Sequence, residues 1–182
     1  MNHFNNVQPK HWNSRGQSLV ELALLLPFLL IILLGIVEYS NMFMMALRAS
    51  NLSREVANAS FRNCSRLNGA SMASCLNENV VKVGEEGQNI LSGFDTLGKV
   101  IATAYEHDAA SNPPVRFVNQ QTTGAGNFAS RYSTAVIDTN VINTHDRIVV
   151  GEVIYPYVAV TPLKSLLDLL NIRTVIYEVT IY

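Results

Sequence analysis

Few residues in this chain are placed to do chemistry, and the first of them is an acid in a costly position. Glu21 sits among leucines at the head of a long apolar run, five residues after Gly16. An ionised carboxylate costs about 2.5–3.5 kcal/mol at the centre of a membrane helix, and less near its edge. Taken alone, Glu21 is either an acid resting at headgroup level or an acid with a dedicated partner. The two cysteines, Cys64 and Cys75, lie close together in a stretch rich in Asn, Ser and Gly. A structural zinc site takes four ligands, and neither a second Cys pair nor a His pair accompanies them. The Cys-x-x-Cys spacing of a redox site is also absent. Two readings remain: a disulfide closing a short loop, or two unrelated thiols. The disulfide is favoured if this segment lies in an oxidising compartment, where it would contribute about 2–3 kcal/mol.

Other candidates carry less. His145 and Asp146 are adjacent, and neighbours on a strand face opposite ways, with no nucleophile marked nearby. Gly124-Ala125-Gly126 lacks the strand–helix context and the Lys of a phosphate loop, so it reads as a turn. Asn51, Asn58 and Asn63 each open an Asn-x-Ser triplet, a pattern common by chance. No catalytic residue, metal site or cofactor is expected, and the chain is not read as an enzyme.

Residues 22–37 read LALLLPFLLIILLGIV without a charge, and the apolar character extends from 19 to 39 across Glu21 and Glu38. A helix crossing the hydrocarbon core needs about 20 mainly apolar residues at 1.5 Å each, which 19–39 supplies. A buried helix of a soluble protein seldom stays apolar on every face over such a length. A cleaved secretory signal would show a shorter run and a small-x-small site, but Glu38-Tyr39-Ser40-Asn41 follows. Lys10 and Arg15 flank one end and Arg48 and Arg54 the other, so positive charge hardly orients the span. Pro27 lies inside the run and should kink the helix, which membrane helices tolerate when neighbours cover the freed carbonyl. The net charge of −1 sets aside nucleic acid as a partner.

Beyond the span the helical pattern continues without Gly or Pro until Gly69. Further helices are expected over 72–83 and 86–105, and Asn112-Pro113-Pro114 marks a break. The texture then turns to strand, over 115–119, 132–138, 147–160 and 173–182. A short helix over 163–170 should separate the last two strands, and 120–127 reads as a mobile loop. The fold class is therefore α+β: a long N-terminal transmembrane helix, then a small domain with extra helices and an antiparallel sheet.

The string Arg15-Gly16-Gln17-Ser18-Leu19-Val20-Glu21, followed at once by the apolar helix, resembles the processing site of type IV prepilins. In that superfamily a membrane aspartyl protease cuts after the Gly on the cytoplasmic side. The resemblance implies cleavage between Gly16 and Gln17 and makes Glu21 the fifth mature residue. In the family that acid is thought to pair with the N-terminal amine of an adjacent subunit, which penalises wrong axial registers. Ordinary type IV pilins and secretion pseudopilins usually carry Phe or Met, then Thr-Leu-Ile-Glu, after the Gly. The pattern here, with Val20-Glu21 and a Leu-rich run containing Pro27, is instead similar to the TadE family of the tight-adherence pilus system. Residues 148–157 and 161–163 resemble that family more loosely. Leu22 departs from its usual aromatic.

The resemblance implies three parts: a cytoplasmic leader at 1–16, an N-terminal helix at 17–68 spanning the membrane at about 19–39, and a periplasmic α+β domain at 69–182. It implies a pilin-like minor pilin or pseudopilin of a bacterial pilus machine, inserted in the inner membrane. Its partners would be the prepilin peptidase, other pilin and pseudopilin subunits, the assembly platform and membrane lipid. The subunit would support fibre initiation and adhesion. Three rivals stand beside it: a pseudopilin of a type II-like secretion system, a single-pass membrane enzyme or sensor, which would need an acid–base cluster that the sequence does not show, and a plain single-pass anchored protein.

Overall fold

The computed structural model describes residues 14–137, 146–162 and 174–182, with 164, 165 and 169. The expected helix at 163–170 and His145 therefore lie largely or wholly outside the described residues. Helix α1 (Ser14–Cys64) runs for 51 residues, about 75 Å at 1.5 Å per residue. Pro27 lies inside it. Its two halves have opposite environments. All described side chains from 18 to 33 are exposed, whereas Ala49, Leu52, Ser53, Val56, Ala57, Ser60 and Cys64 are buried. Those positions recur at the three-and-four spacing of one helix face.

Helix α2 (Gly69–Ile90) runs back along the second half of α1 and buries Met72, Leu76, Val80, Val83, Gly84 and Gly87. Glycines 84 and 87 weaken a sequence-based assignment of helix here, yet both lie inside it. Close approach explains them: a Cβ at Gly87 would lie 2.8 Å from the Phe94 ring, and one at Gly84 would lie 2.4 Å from Thr123 Cγ2. A disulfide joins Cys64 to Cys75 and ties the end of α1 to α2, with Cα atoms 5.8 Å apart. At the other end Arg48 Nη1 donates to the Ile90 carbonyl at 2.9 Å. A single turn, α3 (Phe94–Leu97), follows.

Four strands then form one antiparallel sheet: β1 (Lys99–His107), β2 (Val115–Thr123), β3 (Arg147–Pro156) and β4 (Val175–Ile181), in the order β2-β1-β3-β4. Val100, Ala102 and Ala104 of β1 align with Val153, Gly151 and Val149 of β3 and face the helices. Ile101, Thr103 and Tyr105 face the other way, aligned with Glu152, Val150 and Ile148.

The α+β class holds, and five local expectations are corrected. The helix expected over 86–105 ends at Ile90, and 99–105 is strand β1. Both faces of β1 are buried, so it shows no alternation to mark it as a strand. The strand expected at 132–138 is not one: residues 132–137 form turns over the second face of the sheet, where Tyr132 and Ile137 pack with Tyr105, Ile148 and Val150. Its apolar residues belong to a cover rather than a ladder. The loop expected at 120–127 starts only at Gly124, because Gln120 to Thr123 pair with β1. Gly124 has φ +99, and a Cβ there would meet the Gly98 carbonyl at 2.3 Å. Helix α1 ends at Cys64 rather than 68, and β3 ends at Pro156 rather than 160.

Candidate functional site

Helix α1 presents the sequence-derived site residues in a line along its exposed half. Gly16, Glu21 and Pro27 all lie within it and are exposed, and the backbone of Gln17 continues the same helix. An added Cβ at Gly16 would meet nothing within 4 Å, so packing within the chain does not require glycine there. None of the most apolar stretch of this helix is buried, and it is long and apolar enough to cross a membrane. An exposed run of this kind in a folded chain points to a membrane anchor.

At the outer end of that run stands a residue whose role the sequence alone does not reveal. Glu38 interrupts the apolar stretch, yet it is buried. Its carboxylate accepts the Val160 N–H at 3.1 Å, the Thr161 N–H at 3.0 Å and the Tyr157 hydroxyl. The chain leaving β3 is thus bound to α1 at the point where helix and domain meet. Glu38 shares its helix face with Asn41, Met42, Met45 and Ala49, all partly or fully buried. That spacing is a legible signal of a domain-facing stripe, whereas Tyr157 is 119 residues away and carries none.

The opposite face behaves differently. Tyr39, Phe43, Met44 and Leu47 remain exposed, and they extend the apolar surface beyond residue 38 alongside the domain. On this side α1 has no cover among the described residues.

Two other carboxylates hold the domain together. Glu152 on β3 is 0% exposed. It accepts the Arg131 N–H at 3.0 Å, the Tyr177 hydroxyl at 2.5 Å and the Ser130 hydroxyl. Arg131 lies 4.7 Å over the Tyr177 ring. Burial first, and then the Glu152 carboxylate, push the Tyr177 hydroxyl above its ordinary pKa. Tyr105 on the same face rises to about 12, mainly through burial. These groups are satisfied partners that fasten the 124–137 segment to the sheet.

At the far end Arg147 donates to the carbonyls of Ser65 (2.5 Å) and Leu67 (2.7 Å), to Asn68 Oδ1 (2.9 Å) and to Glu106 (3.0 Å). A guanidinium there caps the end of α1 and favours its dipole. The open cavity beside it, about 520 Å³, is lined by Ser65, Arg66, Asn68, Glu106, His107, Asp146 and Arg147. His107 meets Asp146 through the backbone, its N–H donating to the Asp146 carbonyl at 3.0 Å. Among the described residues no group of three or more His, Cys, Asp or Glu is arranged to hold a metal ion.

The geometry therefore offers an anchoring and packing surface along α1, continuous from Gly16 to the domain. Residues 16–58 match the family model for TadE-like protein. The match takes in Gly16, Glu21, Pro27 and Glu38 and stops within α1, short of α2 and the sheet. No curated protein and no solved structure matches the chain.

Proposed function

We propose that this chain is a minor pilin or pseudopilin of a tight-adherence pilus machine, trimmed after Gly16 and used to initiate or support assembly of an adhesive surface fibre. In this reading it is the substrate of a prepilin peptidase and does no chemistry of its own. Glu21, fifth after the cut, sets the axial register against the amine of Gln17 in a neighbouring subunit. The domain lies on the periplasmic side and selects neighbours.

The observation that carries the assembly role is the length of the uncovered apolar surface. From Leu19 to Leu47 the outward side of α1 is apolar apart from Glu21 and Ser40 over about 43 Å, whereas a bilayer core is about 30 Å thick. Tyr39, Phe43, Met44 and Leu47 are the exposed excess. Tilt absorbs part of such a mismatch. A helix from another subunit covers the remainder and gains the dispersion contacts that draw membrane helices together. The match at 16–58 supports the placement in a tight-adherence system.

A single added cysteine tests this, because Cys64 and Cys75 are already paired. Phe43→Cys and Leu47→Cys should crosslink to pilin-like subunits in cells assembling a pilus, and Arg116→Cys, on the exposed sheet edge, should not. Phe43→Cys and Leu47→Cys that stay monomeric and freely alkylated in such cells contradict the assembly role.

A further inference from the structure

We propose that the segment following β3, centred on Val158 and Val160, is a second membrane contact that dips into the outer lipid interface beside α1. The inference rests on the reading of α1 as a membrane span.

Three observations carry it. First, the segment is held at a defined height. Glu38 takes the backbone N–H groups of both Val160 and Thr161, and Glu38 lies one residue before the outer limit of a span at 19–39. Second, what the segment turns outward is apolar: Val160 is 71% exposed, Val158 is 38% exposed, and Pro162 is exposed beside them. Third, part of its backbone is already paired within the chain. The N–H groups of Val160 and Thr161 end on Glu38, and that of Tyr157 ends on the Thr174 carbonyl at 2.8 Å. Proline 162 has no N–H to satisfy.

Irregular backbone is kept out of the hydrocarbon core, where an unpaired group is costly, whereas the interface supplies water and headgroup partners to groups left open. Lys164, exposed two residues further on, suits lipid phosphate at headgroup height. Lipid is the occupant favoured over a second copy of the chain, because these side chains continue the span's own apolar surface at the depth where that surface meets water. The consequence is a domain held at two points, which limits its swivelling about α1.

The test uses the full chain with Trp12→Phe, so that each added tryptophan is the sole one. The variants Val160→Trp, Val158→Trp, Leu29→Trp and Phe117→Trp are reconstituted in vesicles of phosphatidylcholine and phosphatidylglycerol. Quenching by lipids brominated along the acyl chain is compared with quenching by aqueous iodide. Leu29→Trp reports the span. Phe117→Trp reports the far end of the sheet, about 40 Å of helix beyond Glu38.

The expected result is blue-shifted emission from the tryptophans at 158 and 160, with loss of intensity to lipids brominated near the headgroup. Adding Glu38→Gln to Val160→Trp should return part of that emission toward the water-exposed value. Phe117→Trp should lose intensity only to iodide. If Leu29→Trp is quenched by lipid while the tryptophans at 158 and 160 respond only to iodide, the second contact is overturned and the span stands. If Leu29→Trp also fails to respond to lipid, the span and the contact fall together. A blue shift at 158 and 160 that disappears on dilution into excess lipid, with no bromine quenching, assigns the surface to another copy of the chain and overturns the lipid assignment.

Discussion

Glu38, Glu106 and Glu152 are all carboxylates with several partners, but their surroundings give them different duties. Glu152 is sealed inside the domain, where removing its acceptor oxygens would strand three donors at about 1–3 kcal/mol each. Glu38 faces the junction of span and domain and holds a segment of backbone rather than a charge. Glu106 sits at the surface between two guanidiniums. The hydrogen bond from Arg116, and then that from Arg147, hold its carboxyl below the ordinary value of 4.5. Because the folded value is the lower one, the stabilisation is present above pH 4.5 and is lost as pH falls through the depressed value. Unfolding followed against pH should therefore show an acid-labile component that Glu106→Gln diminishes. Salt should weaken the share contributed by Arg116, which is 61% exposed, more than that of Arg147 at 15%. An unchanged acid profile in Glu106→Gln would contradict this assignment.

Between elements, α1 lies close against the sheet. Gly151 on β3 lies under α1, where an added Cβ would be 2.6 Å from the Ser53 carbonyl and 2.7 Å from Val56 Cγ1. A helix backbone cannot move aside without lifting the whole packed face. Gly151→Ala should therefore lower stability by about 1–3 kcal/mol, measured by denaturant midpoint. Gly35→Ala, with nothing within 4 Å of the added carbon, should leave the domain unchanged. Equal effects of the two substitutions would contradict the close packing.

The apolar outer half of α1 and its continuation as a long helix follow from where the apolar residues fall along the chain, as does the strand texture of 147–156. Strand β1 escaped because burial on both faces removes the alternation that marks a strand. The cover at 132–137 was misread because apolar residues that close over a sheet resemble those within one. The partners of Glu38 and Glu152 lie 119 to 123 and 21 to 25 residues away in sequence. No local pattern announces such pairings.

At the scale of the molecule, two ends of one helix are given different work. The outer half of α1 is uncovered and apolar and carries Gly16 and Glu21, and the match to the TadE-like family runs through it as far as residue 58. Its second half is the spine of a domain stapled by Cys64–Cys75, capped by Arg147 and joined to the span at Glu38. In the proposed assembly the first half is shared among subunits while the second keeps its own shape. Gly16 and Glu21 are singled out by a local string that can be read without knowledge of the fold. The Glu38 junction needed the fold, since it joins residues from opposite ends of the chain.

The most direct test of the pilin reading is the intact mass of the protein extracted from membranes of cells with and without their prepilin peptidase. The account predicts a peptidase-dependent loss of residues 1–16, leaving Gln17 at the N-terminus as glutamine or in its cyclised form. A chain carrying residues 1–16 in both samples would contradict it and leave a membrane anchor without a pilin's processing. Cleavage beyond Tyr39 would instead mark the apolar helix as a removed signal.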